Sequence, residues 1–555
     1  MKKLLLFLFT ITSIQFSAQE DAWVFLKDKP NKNSFLDNPL SMLSQRAIDR
    51  RSKLNIALDE KDVPIEITYY NQLKNEPRIN VLAKSKWLNA IHVQGELADL
   101  NNLLTKFNFI DRLEFANKSL NKKTKKNIKK IAPNHFNKLQ NITSKFNYGA
   151  ADNQIKMLKG NFLHEQGLTG EGQVIAIIDA GFPNVNTLSA FKKIRDNNQI
   201  LGGYNFADRN TDYYSRSSHG THVLSSIAGY IEDEYVGTAP DAKFYLFITE
   251  ISESETVLEE SLWVEATERA DSLGVDVINT SLGYTTYDNP NHSHSYADLD
   301  GKTTFISRGA EIGASRGLLL VNAAGNSGNK EWKYIGAPAD APSVITVGAV
   351  KSTEEIASFS SFGPSADGRI KPEILGQGQN PALIDYNTGL VKTTSSGTSF
   401  SAPIMAGLIA CLNGNEGFLI KSSSQKSSEN LNTLLKKTIY ESANMFNNPS
   451  DQHGYGIPDF EVALNNYIAV FSIDGNEFET FQIFPNPTEN ELFISVNDDG
   501  LQDLVVKVFN LQSKKVFEKT ISSTKKIDIS FLNKGMYILK ISNKNQQKTL
   551  KLIKR

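Results

Sequence analysis

Three short segments of the chain carry an acid, a base and a nucleophile in settings that suit acyl transfer. Asp179 directly follows the apolar run 174–178 and precedes a turn, so a buried strand is expected to end at this carboxylate. His219 follows a serine-rich turn and opens a segment of small and apolar residues, which predicts an exposed imidazole at a helix start. Ser399 lies between a glycine-containing turn and the apolar stretch 402–412, so its backbone N–H is expected to be free at a helix N-terminus. Together they predict a serine nucleophile with its own oxyanion donor.

Two further segments extend this pattern, namely residues 279–283 (Asn-Thr-Ser-Leu-Gly) and residues 321–326 (Val-Asn-Ala-Ala-Gly-Asn). With the segments around Asp179, His219 and Ser399, they resemble the signature blocks of the subtilisin-like serine peptidases, and they occur in that family's chain order. Each block alone is moderately specific, whereas the set in the right order is strongly so.

The resemblance covers about residues 148 to 470 and implies a role for each residue of the blocks. It implies that Asp179, His219 and Ser399 form a catalytic triad and that Asn326 completes the oxyanion hole. The substrate-binding residues that it implies are Ser281, Leu282, Gly283, Ala324 and Gly325. No cofactor is implied for the chemistry, and calcium is expected only as a structural ion whose ligands the sequence does not identify.

Two departures from the family pattern predict local differences. Ala180 stands where the family usually has a serine or threonine, so Asp179 is expected to lack one hydrogen-bond donor. The family's stretch Lys-Pro-Asp-x-x-Ala-Pro-Gly reads Lys-Pro-Glu-Ile-Leu-Gly-Gln-Gly at residues 371–378. The loop on the substrate side is therefore expected to differ, and with it the fine specificity.

The elements that must position these residues follow from hydrophobic patterning. Apolar runs at 174–178, 275–278, 318–321 and 344–347 predict buried parallel strands, and residues 255–273 predict a helix before one strand. Strands that alternate with helices predict an α/β fold, a parallel sheet covered by helices on both faces. Active sites of such folds collect at the strand ends, which is where Asp179 is expected to lie.

The chain ahead of this region reads as a leader and a small separate unit. Residues 1–19, with two lysines before an apolar run, have the layout of a secretory signal peptide. Residues 20–147 predict a small α+β unit, with a strand at 23–26, a helix around 97–107 and a strand at 112–115, and a linker with six lysines in residues 121–130. Its position is that of the family's propeptide, which the resemblance makes an intramolecular inhibitor.

The C-terminal part, residues 474–555, has short segments of period-two alternation between polar turns, which predicts a small β-sandwich. Phe-Pro-Asn-Pro at 484–487, Gly-Met-Tyr at 535–537 and a basic end resemble the C-terminal sorting domain of type IX secretion in Bacteroidetes. Secretion machinery is then an expected partner, and the product is expected outside the cell or on its outer surface. A carbohydrate-binding sandwich is the alternative.

Composition adds bounds of its own. The 555-residue chain has a formal net charge of −1, which gives no general attraction to nucleic acid. Its one cysteine, Cys411, forbids an intrachain disulfide and lies in an apolar stretch, so a buried thiol is favoured over a nucleophile.

The function predicted from these patterns is that of a secreted serine endopeptidase, made as a precursor and acting on proteins or peptides. Two alternatives stay open. One is a catalytically inactive surface-displayed binding or adhesion protein with the same fold. The other is a metal site at His219 and His222, or at His292 and His294, although the glutamate that zinc peptidases place beside the first histidine is missing. His222 is better explained as a helix residue packed behind the site, and His292 and His294 are expected in a polar loop.

Overall fold

The computed structural model describes residues 19–121, 146–414, 430–472, 481–496, 504–512, 514–521, 526–542 and 547–555. The expected signal peptide lies outside these residues except for Gln19, which belongs to the first strand. Most of the lysine-rich linker and the predicted boundary near residue 473 also lie outside them.

The N-terminal unit is the predicted α+β unit. Its antiparallel sheet has the order β2-β3-β1-β4, with β1 Gln19–Leu26, β2 Asn80–Ser85, β3 Ala90–Glu96 and β4 Ile110–Phe115. Its helices are α1 Lys32–Leu36, α2 Gln45–Lys53, α3 Ile67–Lys74 and α4 Leu97–Lys106. The predicted helix forms because Leu100 and Leu103 recur on one face, and both are buried against the sheet.

The central region is built on a seven-stranded sheet of order β13-β12-β11-β10-β5-β9-β6. These strands are β5 Val174–Asp179, β6 Ile200–Asn205, β9 Lys243–Ile248, β10 Val277–Thr280, β11 Leu319–Ala323, β12 Ile345–Val350 and β13 Ile374–Gln377. Their pairings are parallel. The four predicted strands are confirmed, and their ends differ from the predicted ones by at most three residues.

Alternate residues of β5 pack into two separate cores. Ile175 and Ile177 contact one core with α8 His219–Ala228 and α11 Thr398–Asn413, whereas Ala176 and Ile178 contact the other with α9 Leu258–Leu273 and α10 Phe305–Ser315. Both faces of the sheet are therefore covered by helices, as the α/β prediction required. The remaining α-helices among the described residues of this region are α5 Asp152–Lys156, α6 Gly160–Glu165, α7 Lys192–Asp196, α12 Leu431–Glu441 and α13 Phe460–Ser472. Two short hairpins complete it, β7 Tyr230–Ile231 with β8 Tyr235–Val236, and β14 Leu383–Ile384 with β15 Val391–Lys392.

The N-terminal unit packs on the outer helices α9 and α10. Trp23 of β1 stacks on Phe305 of α10, with ring centroids 4.8 Å apart. Glu268 of α9 accepts hydrogen bonds from the Ser85 hydroxyl at 2.6 Å and from the backbone N–H groups of Lys86 and Trp87 at 3.1 and 2.9 Å. Apolar packing and a fully paired carboxylate thus join the two units.

The C-terminal tail has two antiparallel sheets, of order β16-β17-β20 and β19-β18-β21-β22. Their strands are β16 Phe481–Phe484, β17 Glu491–Val496, β18 Leu504–Phe509, β19 Lys515–Ile521, β20 Lys526–Asp528, β21 Gly535–Ser542 and β22 Gln547–Lys554. The sheets enclose their own apolar core, as predicted for a β-sandwich. The tail also contacts the central region, where Met536 N–H donates to Gln166 Oε1 at 2.7 Å and Leu511 joins the main core. In the described parts of the chain, no helix has the length and apolar character needed to cross a membrane.

Candidate active site

Asp179 is the last residue of β5, and its side chain is 0% exposed. Its Oδ1 accepts from His219 Nδ1 at 2.7 Å and from the Ala180 backbone N–H at 2.7 Å. Within the described residues Oδ2 has no hydrogen-bond partner. As predicted from Ala180, Asp179 lacks one hydrogen-bond donor, while its bond to the imidazole of His219 is formed.

His219 is the first residue of α8, and its side chain is 32% exposed. The next residue is glycine because α8 begins against the end of β5. A Cβ on Gly220 would lie 2.4 Å from Gly181 O and 3.0 Å from Asp179 Cβ. Burial disfavours the imidazolium, but the adjacent Asp179 carboxylate outweighs burial, so the pKa of His219 is raised above its ordinary 6.5.

Ser399 is the second residue of α11, which begins at Thr398 rather than at the predicted residue 402. Its backbone N–H is among the first of the helix, which have no acceptor within the helix. Pro403 lies four residues later and has no N–H, so the Ser399 carbonyl also lacks its helical donor. The Ser281 hydroxyl fills that place at 2.8 Å, and Ser399 Oγ donates to Ser281 O at 3.2 Å.

This reciprocal pair ties the end of β10 to the start of α11. Ser399 Oγ donates to Ser281 O in this structure, and no hydrogen bond between Ser399 and His219 is formed. Catalytic hydrogen bonds in free enzymes are often formed only when substrate is bound. Neither the pair nor the effect of Pro403 was predicted, although the proline four residues after the serine was the available signal.

Asn326 lies beyond β11 and is exposed. Its Oδ1 accepts from the Thr398 N–H at 2.9 Å and from the Thr398 hydroxyl at 3.1 Å, which leaves Nδ2 as the free donor of the carboxamide. The Thr398 hydroxyl also accepts from Gly325 N–H at 3.1 Å. Thr398 therefore orients the amide that was predicted to bind an oxyanion, a role that sequence reasoning missed.

The predicted substrate-binding residues lie at the same sheet edge. Ser281 and Ala324 are buried, Leu282 and Gly325 are half-buried, and Gly283 is exposed. Tyr284, the next residue, exchanges two backbone hydrogen bonds with Ala337. The structure thus brings both segments to the carboxyl edge of the sheet, where Asp179, His219 and Ser399 also lie.

The histidine pairs considered as metal ligands do not belong to a metal-binding cluster within the described residues. His222 is buried in α8, as predicted, and burial, with Lys392 and His219 nearby, lowers its pKa to about 4. No group of three or more histidine, cysteine, aspartate or glutamate side chains placed to hold a metal ion occurs in the described parts of the chain. The structural calcium ion implied by the family resemblance stays a prediction.

His292 and His294 lie in a loop, as predicted, but their side chains are only 5% exposed. His292 lies 3.5 Å from Glu20 of the N-terminal unit. His294 contacts Glu260 at 2.8 Å and Lys118 at 2.9 Å. The docked N-terminal unit covers both histidines, which a reading of local polarity had no means to detect. Cys411 is buried in α11, as predicted.

Models of three protein families match successive parts of the chain. The Subtilase family matches residues 170–457. The Peptidase S8 propeptide domain of Bacteroidota matches residues 21–132, and the Secretion system C-terminal sorting domain matches residues 482–555. The last match favours the sorting domain over the carbohydrate-binding alternative.

Relatives and solved structures agree with the family models. Subtilisin NAT of Bacillus subtilis subsp. natto is 30% identical over 300 residues, which cover 53% of this chain and 69% of the relative. Subtilisin of Bacillus pumilus is also 30% identical, over 53% of this chain and 95% of the relative. The epidermin leader peptide processing serine protease of Staphylococcus aureus is similar in fold, with a TM-score of 0.51 and 18% identity over 81% of this chain and 98% of that structure.

Proposed function

The chain belongs to the subtilase family of serine peptidases, and we propose that it is an endopeptidase that hydrolyses proteins through an acyl-enzyme on Ser399. A subtilase with a propeptide domain is consistent with a precursor that is processed. Its C-terminal sorting domain indicates a protein that is secreted or held at the cell surface.

In the proposed mechanism, Ser399 Oγ attacks the carbonyl carbon of the scissile peptide while His219 Nε2 accepts its proton. His219 then donates that proton to the leaving amine, and water repeats the cycle to release the acyl group. Asp179 keeps the proton of the imidazole on Nδ1 through the 2.7 Å contact and stabilises the imidazolium that forms. Subtilases need no cofactor for this chemistry.

The oxyanion of the tetrahedral intermediate is proposed to bind between Asn326 Nδ2 and the Ser399 backbone N–H. Thr398 supports this role because it occupies the opposite end of the carboxamide and so orients the donor before substrate arrives. Substrate backbone is proposed to extend along Ser281, Leu282 and Gly283 on one side and Ala324 and Gly325 on the other. An apolar side chain is the expected preference ahead of the cut.

The proposed division of the chain follows the same logic. Residues 1–19 are the signal peptide, 20–147 the propeptide and linker, 148–470 the catalytic domain and 474–555 the sorting domain. The propeptide is proposed to inhibit the cleft until it is cut away, and the sorting domain to be the part that secretion machinery binds.

The observation that carries this proposal is the convergence of Asp179, His219 and Ser399 at one sheet edge, with the Asp179–His219 bond formed. The test is casein hydrolysis by the secreted protein and by Ser399→Ala, with Ser327→Ala as a control serine that lies near the site outside the proposed triad. Ser399→Ala is expected to remove activity and to let unprocessed precursor accumulate, whereas Ser327→Ala should be processed. Casein hydrolysis that survives Ser399→Ala would reject the proposal, and an inactive wild-type protein would favour a binding role.

A further inference from the structure

Residues 44–62 of the N-terminal unit, hereafter the anchor segment, contact the central sheet at its amino edge, opposite the proposed active site. The segment contains α2, whose N-cap Ser44 accepts from Ala47 N–H at 3.2 Å. Ser44 N–H in turn donates to Ser272 O of α9 at 2.8 Å. Strand β5 runs six residues from this edge to Asp179, so the two edges are about 17 Å apart.

Arg46 of the anchor segment binds groups that precede two neighbouring strands. Its guanidinium donates to Gly274 O at 2.8 Å and to Gly172 O at 2.9 Å, and it forms an ion pair with Asp276. Asp276 also accepts from Val174 N–H at 2.9 Å, so the same carboxylate links β5 to the start of β10. The contacts of Arg46 therefore depend on the folded sheet edge, which holds these groups close together.

Arg50 and Arg51 meet a single buried carboxylate, Asp271 of α9. Arg51 Nη2 donates to its two oxygens at 2.7 and 3.0 Å, and Arg50 is bonded to Asp271 and to Val275 O. All three side chains are almost completely buried. Such groups are stable only when paired, because an unpaired buried charge costs several kcal/mol.

A second group of charges extends this contact to the following strand. Arg51 also donates to Asp62 at 2.9 Å, within the anchor segment. Arg316, at the end of α10, donates to Asp59 at 2.9 Å and to Asp62 at 3.4 Å. Charged side chains from both partners thus alternate across the contact, and each has a partner of opposite sign.

The surface of the central region in this contact is complementary to the anchor segment. Asp271 lies in the last turn of α9, where the helix dipole disfavours a negative charge unless a cation meets it. Gly274, which follows α9, has φ +81°, and a Cβ there would lie 2.7 Å from Arg46 Cγ and 2.8 Å from Ala47 N. Asp271 therefore gains the cations it needs from α2, and the absence of a side chain at Gly274 leaves room for the same helix.

We propose that the anchor segment is a second attachment of the propeptide, which retains the cut propeptide on the catalytic domain from the edge opposite the triad. The site on the catalytic domain takes a helix that presents guanidinium groups, here those of Arg46, Arg50 and Arg51. The inference rests on the proposed function, because only a precursor that is cut has a propeptide to retain. Release from the cleft and release from the domain are then two separate events.

Retention is measured on the full chain carrying Ser399→Ala and a recognition sequence for an unrelated protease inserted between residues 122 and 145. After the cut, size-exclusion chromatography on diluted samples gives the rate at which the propeptide leaves. Arg46→Ala with Arg50→Met is expected to raise that rate at least about 30-fold, since truncation of the buried Arg50–Asp271 pair acts mainly on dissociation and Arg46→Ala also removes the hydrogen bonds to the strand starts. Retention equal to that of the parent chain would overturn the proposal.

The matched control is Arg78→Ala. Arg78 is an exposed arginine of the same unit that pairs with Asp99 inside it. Its dissociation rate should stay within about twofold of the parent chain, as for surface pairs. A control that accelerates release as much as the anchor variant would also overturn the proposal, because it would indicate a general loss of propeptide stability.

A second measurement serves if the anchor variant does not fold. Hydrogen exchange on the cut parent chain should protect the amides of residues 45–53 as long as the propeptide is bound, together with those of β3. Rapid exchange at 45–53 while β3 stays protected would overturn the proposal. Because the cut is made by an added protease, failure of the proposed peptidase function leaves this result interpretable, and the two failures are distinguishable.

Discussion

The two edges of the central sheet use polar side chains in opposite ways. At the carboxyl edge, Asp179 Oδ2 has no partner within the described residues, the His219 ring is partly exposed, and Asn326 keeps a free amide donor. At the amino edge, Asp271 is paired with Arg50 and Arg51. The buried carboxylate at the carboxyl edge keeps one oxygen unpaired, whereas both oxygens of the buried carboxylate at the amino edge accept hydrogen bonds from another part of the chain.

The difference has a physical reason. A catalytic group must bind charge that appears only during the reaction, so its donors and acceptors have to be oriented yet unoccupied beforehand. A contact between two parts of a protein gains nothing from unoccupied donors and acceptors, because each buried charge without a partner lowers the stability of the contact. The pairing of buried carboxylate oxygens therefore distinguishes the proposed site of chemistry from the proposed site of attachment: Asp179 Oδ2 has no partner within the described residues, whereas both oxygens of Asp271 have one.

The largest expected effect comes from removing the free donor at the carboxyl edge. Asn326→Ala is expected to lower kcat by about 10² to 10³ with little change in KM, a magnitude transferred from subtilisin, a member of the same family. Steady-state kinetics on a soluble peptide checks this, with Ser327→Ala as the neighbouring control. A rise in KM at constant kcat would mean that Asn326 binds the ground state instead.

The next prediction concerns Asp271 at the amino edge, where one substitution should affect the stability of the precursor and of the mature domain differently. Asp271→Asn is expected to lower the unfolding free energy of the Ser399→Ala precursor by about 2 to 3 kcal/mol, because Arg50 and Arg51 lose their charged partner. In the mature domain the same change should be neutral or stabilising by about 0.3 to 1 kcal/mol, since a negative charge leaves the C-terminal turn of α9. Urea unfolding of both forms measures this. Equal destabilisation of both forms would contradict the comparison.

The pH profile of the activity tests the proposed role of His219 as the proton acceptor. His219 must be neutral to accept a proton, and the pKa of its imidazole is raised by Asp179, so kcat/KM should fall as the pH drops through a midpoint above 6.5. Rates measured from pH 4.5 to 9 give this midpoint. A flat profile down to pH 4.5 would exclude His219 as the base.

The smallest effect concerns the unpartnered oxygen of Asp179. Ala180→Ser should supply a hydroxyl donor to Oδ2, draw charge away from the oxygen that faces His219, and so move the acid limb to lower pH. The same rate measurements report the shift, and Ala180→Val is the control because it adds bulk without a donor. An acid limb at the same pH as in Ala180→Val would show that the hydroxyl does not reach Oδ2.

Much of the site could be predicted because its signals are local. A carboxylate at the end of an apolar run, and a histidine and a serine before apolar helices, are visible in segments of about ten residues. The start of α11 was placed four residues late, because Thr398, Ser399 and Ser401 are polar although they are buried. The burial of His292 and His294 in the predicted loop was not predicted either, since local polarity does not reveal a distant segment that covers it.

The sequence by itself determined the family, the α/β class, the order of the units and the residues proposed for the chemistry, because these depend on residue type and short-range spacing. Only the tertiary structure decided which groups have partners. The Ser281–Ser399 pair spans 118 positions, and the Arg51–Asp271 pair spans 220. Contacts of that separation leave no periodic trace in either segment, since they exist only once the sheet and its helices have brought the two together.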